Sequence, residues 1–157
     1  RGEYLGALAM SEPDVGSDLA SIKCRAKRDG DHWILNGSKY WCTFADGADF
    51  IQVIARTEGE ARSHKGLTSI PVEKPKGELP KGVTGSPIPK IGYFGWKTWE
   101  LHFDNCRLPA EARPPCQCAH VTSCRRAAAF FAHLGARPAP AGRERRGRVV
   151  HHDVDAV

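Results

Sequence analysis

No run of eighteen or more apolar residues occurs anywhere in the 157-residue chain, which excludes a candidate membrane-spanning helix on hydropathy alone. The opening Arg1-Gly2-Glu3-Tyr4 lacks the basic-then-apolar layout of a secretory leader. The single methionine, Met10, lies inside the first apolar run, so the natural start is expected to lie elsewhere. The six cysteines form no spacing that reads as a disulfide framework. Cys24, Cys42 and Cys106 stand singly in strand-like runs, where a thiol behaves as a small hydrophobe, and a reducing compartment is expected. Net charge is missing from most of the chain: residues 1–111 carry nine Lys and six Arg against fifteen acids. The formal +5 sits in residues 112–157, with eight Arg, no Lys and three acids. The basic balance therefore gives the body no electrostatic case for nucleic acid or an anionic membrane. Heptads and internal repeats are absent as well.

What is present between residues 21 and 104 is a period of two, the spacing that puts alternate side chains on one face of a sheet. Ile22, Cys24 and Ala26 alternate with Lys23, Arg25 and Lys27, and Asp29-Gly30-Asp31 supplies turn chemistry. Asn36-Gly37 tolerates the positive φ angles of a type I′ turn, so residues 32–43 are expected to form a tight hairpin. The continuous apolar run from Phe50 to Ala55 suits a strand buried on both faces, Thr57 to Lys65 a polar connector, and Leu67 to Val72 a further strand. Residues 74–89, with four Pro and three Gly, are expected to be a long surface loop. Trp99, Leu101 and Phe103 alternate with Glu100, His102 and Asp104 in a last strand. The fold class expected is mainly β: a small antiparallel β-barrel spanning residues 1–111, followed by a low-complexity, disordered Arg/Ala/Cys-rich tail over residues 112–157. Beyond Pro109 the residues Ile, Asn, Lys, Tyr, Trp and Met vanish, and only Cys124 to Leu134 looks mildly helical.

The segment Ala9-Met10-Ser11-Glu12-Pro13-Asp14-Val15-Gly16-Ser17-Asp18 joins a strand end to a Gly- and Ser-rich loop, where hydroxyls and backbone donors can converge on a ligand. Taken singly it reads as an ordinary turn, and Trp41 as a core residue. Three later segments, in their order along the chain, change that: Lys39-Tyr40-Trp41-Cys42-Thr43, then Lys90-Ile91-Gly92, then Leu101-His102-Phe103-Asp104-Asn105-Cys106-Arg107-Leu108-Pro109. From about Tyr4 to Glu111 the chain resembles the middle domain of the acyl-CoA dehydrogenase family.

That resemblance implies a two-electron oxidation of an acyl-CoA thioester between its α and β carbons, with FAD as cofactor. It assigns Met10 and Ser11 to the pyrimidine side of the flavin, Trp41 to the face of the ring system, and Thr43 to the edge where the hydride arrives. Residues 41 and 43 are two apart on a strand and so face one side, with Cys42 pointing into the barrel. Ser17 matches a position that contacts both flavin and acyl-CoA, the one substrate contact expected here. Glu12 and Asp18 are expected to be turn anchors and not an acid–base pair. In the family an electron-transfer flavoprotein receives the electrons and the full-length enzyme is homo-oligomeric. A bacterial cytoplasm is expected, with the mitochondrial matrix as the other compartment.

Two departures stand out. Val15 occupies a position where the family takes a small residue, and Phe94 one where it usually has Arg, removing a polar contact. No residue of the chain matches the family's catalytic glutamate, which belongs to a helical domain, so the chain alone is not expected to turn over substrate. For residues 112–157 three accounts compete. The first is an out-of-frame or misassembled translation, suggested by the abrupt end of the likeness and by residues typical of GC-rich codons. The second is a zinc site of Cys116, Cys118, His120 and Cys124, crowded for a tetrahedral pair of knuckles. The third is a basic arm for nucleic acid through Arg125, Arg126, Arg137, Arg143, Arg145, Arg146 and Arg148. The rival to an enzyme fragment is thus a non-enzymatic binding module acting through this tail.

Overall fold

Alternating burial along each segment decides which strands form and where they sit. The computed structural model describes residues 4–59, 61–93 and 95–109, and within them β1 is Gly6–Ala9, β2 Arg25–Asp29, β3 His32–Thr43, β4 Phe50–Arg56, β5 Leu67–Glu73, β6 Val83–Pro87 and β7 Thr98–Pro109. They make one seven-stranded sheet in the order β1-β4-β2-β3-β7-β6, with β5 added on β4, curled into a half-barrel. Most pairings are antiparallel, as expected; β4 runs parallel to β1, and meets β2 in parallel at Arg25 and Arg56. A 3₁₀ turn at Leu19–Ser21 is the one helical element among the described residues.

β4 is buried on both faces, as its sequence requires: Ile51, Val53 and Ala55 face one way and Phe50, Ile54 and Arg56 the other, all under a tenth exposed. Leu35, Ile70, Val72, Leu101 and Phe103 complete the core, each contributing about 1.5–3 kcal/mol by leaving water. β5 pairs only with β4, so Pro71 can occupy its middle without depriving a second neighbour of a donor.

Two expectations fail. Residues 32–43 are one continuous strand and not a hairpin. The hairpin lies one step earlier, where Asp29 pairs with His32 and Gly30 takes φ 57 in the two-residue connection. Gly37 does have positive φ, at 134°, but it serves a close approach: a Cβ there would lie 2.7 Å from the Cα of Cys24. The second failure is the long loop, because residues 83–87 form β6. It is an edge strand pairing only with β7, so Pro87 at its end costs no ladder bond that a central strand would need, and Gly85 lets the backbone of Glu100 come close. The last strand, by contrast, runs further than its alternation suggests, to Pro109.

Cys24, Cys42 and Cys106 are buried free thiols, as their isolated positions suggest. Removal from water pushes Cys24 and Cys42 up to about 12 and Cys106 to about 11. Well below pH 9 these thiols are protonated in both states. As pH rises from 9 towards 12 the unfolded chain releases protons that the folded chain retains, so stability falls across that window. At pH 8.5 all three are expected to resist iodoacetamide until urea unfolds the sheet, as peptide mapping by mass spectrometry would read separately for each. Prompt labelling of Cys24 in native buffer would contradict its burial.

The expectations for residues 112–157 and for Phe94 lie outside the described residues. Among the described residues no group of three or more His, Cys, Asp or Glu is placed to hold a metal ion, and no helix is long and apolar enough to cross a membrane.

Candidate functional site

β1 ends at Ala9, and the chain runs on through Met10 and Ser11, both half-buried, into a tight turn. The Glu12 N–H donates to the Val15 carbonyl at 2.8 Å and the Val15 N–H to the Glu12 carbonyl at 3.1 Å, enclosing Pro13-Asp14. Val15, the departure from the family pattern, is 4% exposed and packs into the core. Ser17 follows on an exposed loop, and Asp18 accepts a hydrogen bond from the Ser21 hydroxyl.

The loop is held against β3 by consecutive contacts. The Tyr40 N–H donates to the Ser11 carbonyl at 2.8 Å. Lys39 Nζ donates to the Met10 carbonyl and to Glu12 Oε1, each at 2.9 Å. Glu12 also receives the backbone N–H groups of Lys23 at 2.7 Å and Cys24 at 2.9 Å. Glu12 is therefore a turn anchor, as expected, though one whose cationic partner the sequence reading missed. Both side chains of the ion pair are buried, at 0% and 4% exposure. Lys23, in contrast, is a solvent-exposed partner of Asp14, whose hydrogen bond holds its ammonium above the usual lysine value.

Immediately after Lys39 the register with β7 slips: Lys39 pairs with Leu101 and Cys42 with Trp99, so β3 carries one residue more than its partner. Such a bulge re-aims side chains. Trp41 adopts φ 61 there and is 57% exposed, while Cys42 beside it is fully buried, as predicted. Thr43 is half-buried, its hydroxyl 3.5 Å from that of Thr98. Phe44 is also left-handed, at φ 65, and packs edge-on against Trp96 at 4.6 Å. A bulky residue in the left-handed region costs about 1–3 kcal/mol and persists only where its surroundings hold it.

The structure thus joins Met10 and Ser11 directly to the strand that carries Trp41 and Thr43. Ser17 is tied to this cluster only through the turn of its own loop. The exposed indole is a flat apolar wall, and among the described residues the hydroxyls of Ser11 and Ser17 engage no other group. An exposed aromatic face on a strand joined to a loop with uncommitted hydroxyls fits a planar, hydrogen-bonding ring system such as a flavin. Elsewhere a shallow cleft of about 290 Å³ opens between the β1–β2 and β4–β5 connections, lined by Ser21, Ile22, Lys23, Arg25, Ala61 and Arg62.

The family model described as "Acyl-CoA dehydrogenase, middle domain" matches residues 7–106. Mitochondrial isovaleryl-CoA dehydrogenase of Pongo abelii is 44% identical over 110 residues, covering 69% of this chain and 25% of the relative. Mitochondrial 2-methylacyl-CoA dehydrogenase of Solanum tuberosum is 46% identical over 110 residues, covering 70% and 26%. Among solved structures, an acyl-CoA dehydrogenase from Geobacillus kaustophilus superposes with a TM-score of 0.64 at 37% identity, over 71% of this chain and 29% of that one. The chain spans about a quarter of the length of the curated relatives it matches. By its sheet, its matched region and its relatives, the chain belongs to the acyl-CoA dehydrogenase family, whose middle domain it carries.

Proposed function

We propose that residues 1–111 form the flavin- and thioester-binding middle domain of an enzyme that oxidises an acyl-CoA between its α and β carbons. The observation that carries this reading is Trp41, turned outward at φ 61 in the bulge beside Thr43. FAD, when bound, supplies the two-electron acceptor. Trp41 walls one face of the flavin, Thr43 places a hydroxyl at the ring edge, and Met10 with Ser11 provides hydrogen-bonding groups on the pyrimidine side. Ser17 reaches both flavin and thioester from its exposed loop. By resemblance to the family, the base for the α-proton is a carboxylate outside residues 7–106, and Glu12 does not compete for that role, being committed to Lys39 and two backbone amides. An electron-transfer flavoprotein as acceptor, a homo-oligomeric full-length enzyme and a bacterial cytoplasmic location complete the reading.

Replacing Trp41 tests it, because flavin wall and structural residue predict opposite outcomes. Trp41→Gly relieves a left-handed backbone but gives up a part-buried indole and its edge contact with Tyr40, so stability in urea is expected to stay within about 1 kcal/mol of the parent. Loss of base-type stacking, about 1–3 kcal/mol, should weaken FAD binding roughly tenfold or more, read by quenching of flavin fluorescence on titration. A destabilised variant with unaltered FAD affinity would make Trp41 a structural residue and sink the assignment.

The boundary after Glu111 belongs to the same proposal, with residues 112–157 arising from a shifted frame. Sequencing the coding DNA through Pro109 to Arg113 and beyond is expected to show a helical continuation in another frame. If no frame provides one, residues 112–157 are genuine protein sequence.

A further inference from the structure

We infer that Lys39 and Glu12 are a positioning pair, which sets the Met10–Ser11 segment against the outward-turned Trp41; the inference rests on the flavin-site reading. Lys39 and Tyr40 grip Met10, Ser11 and Glu12 through three bonds of 2.8–2.9 Å, made by consecutive residues on both sides. Tyr40 and the next residue of β3, Trp41, are left out of the register with β7, and Trp41 takes φ 61 there. The bulge therefore lies directly against the grip, and the three bonds together set the position of Trp41 relative to Met10.

A buried ion pair is a poor device for stability, since well-packed apolar side chains of similar volume serve as well or better. Its distinctive property is that its partners are not interchangeable. Lys39 Nζ needs the Met10 carbonyl and Glu12 Oε1 together, and Glu12 needs both the ammonium and the amides of Lys23 and Cys24. A register slip of β3 by one residue would send Lys39 to the solvent face and strand the carboxylate. The pair thus selects one alignment of β3 with the loop, the alignment in which an extra residue must be accommodated before Cys42. Neither Lys39 nor Glu12 touches the proposed flavin; both act through Trp41 and the Met10–Ser11 backbone.

The experiment compares Lys39→Met with Val72→Ala, a core change in β5, in the full chain, under conditions where far-UV circular dichroism shows each variant folded. The ¹H–¹⁵N resonance of the Trp41 indole, assigned by its loss in Trp41→Phe, is the readout that needs no cofactor. It is expected to shift in Lys39→Met and to stay in place in Val72→Ala. FAD affinity, where the parent chain binds FAD, should fall about tenfold in the first variant and less than twofold in the second. Should Lys39→Met fail to fold, Glu12→Gln keeps the shape and one acceptor while removing the charge, and its indole resonance takes over as the test. An unmoved indole resonance overturns the inference. A moved resonance in a chain whose parent binds no FAD upholds the positioning pair and overturns the flavin reading instead.

Discussion

Alanine at position 37 is expected to destabilise the sheet by about 3–5 kcal/mol, a large share of the total stability of a domain of this size. Two terms combine. The backbone at φ 134 lies where residues with a Cβ are strained by about 1–3 kcal/mol. The added methyl would also meet the Cys24 Cα at 2.7 Å and Cβ at 2.9 Å, an overpacking that costs a further ~1–3 kcal/mol. Because the nearest atom is backbone, shortening Cys24 to glycine should not rescue the variant. Gly16→Ala is the control: nothing lies within 4 Å of the added methyl, and its stability should stay within about 1 kcal/mol of the parent. Urea denaturation of the variants checks all of this. A cost under ~1 kcal/mol for Gly37→Ala would mean that β2 and β3 separate easily and that their close approach does not fix the alignment.

This glycine also shows why part of the fold was hidden in the sequence. Asn36-Gly37 satisfies the local demands of a tight turn and of a strand interior with close backbone contact equally well. The choice is made far away. Asn36 Oδ1 accepts the N–H of Asn105, which stands at φ 47 in a bulge of β7, and this bond holds Asn36 inside a long strand. No reading of neighbours along the chain could see a partner in β7. The same holds for residues 83–87, whose Pro and Gly are barriers to a central strand's ladder, although an edge strand tolerates both. Segments whose own burial pattern is strong were legible: Phe50–Arg56, Leu67–Glu73 and the alternation from Trp99 to Asp104 all fold as their periods require.

Motif order proposes the residues of the candidate site but not their scaffold. Motif order alone led to Met10, Ser11, Ser17, Trp41 and Thr43. The ion pair behind them has a trace in the sequence: Trp33, Leu35, Gly37 and Lys39 occupy successive inward positions of one strand, and a lysine there requires a buried acceptor. Which carboxylate answers it, 27 residues earlier, is a tertiary fact. The bulge at Trp41 is likewise invisible locally, because it arises from a count mismatch between β3 and β7.

Arg56 carries the second large expected effect. Its side chain is 1% exposed at the end of β4, and its guanidinium donates to the carbonyls of Ala20 at 2.7 Å, Ser63 at 3.0 Å and Lys65 at 3.2 Å. Those carbonyls belong to the β1–β2 and β4–β5 connections, so one planar fork ties both loops to the strand between them. Methionine fills similar volume and removes the desolvation cost of the charge, including that of Nε, the buried polar atom left without a partner among the described residues. Against that gain stand three charge-assisted bonds, each worth about 1.5–3 kcal/mol, and an Ala20 carbonyl left buried. The lost bonds should win, because the buried Ala20 carbonyl cannot return to water without opening the loop; Arg56→Met is expected to cost about 2–4 kcal/mol. Lysine retains the charge but not the fork, reaches fewer of the carbonyls, and should cost at least as much. Hydrogen exchange should rise first at residues 19–22 and 57–66, ahead of the β4–β5 ladder, since the loops lose their tie while the core is intact. A neutral Arg56→Met variant with unchanged exchange in both loops would show that burial of the guanidinium cancels its bonds, and that backbone contacts alone hold the loop bearing Ser17.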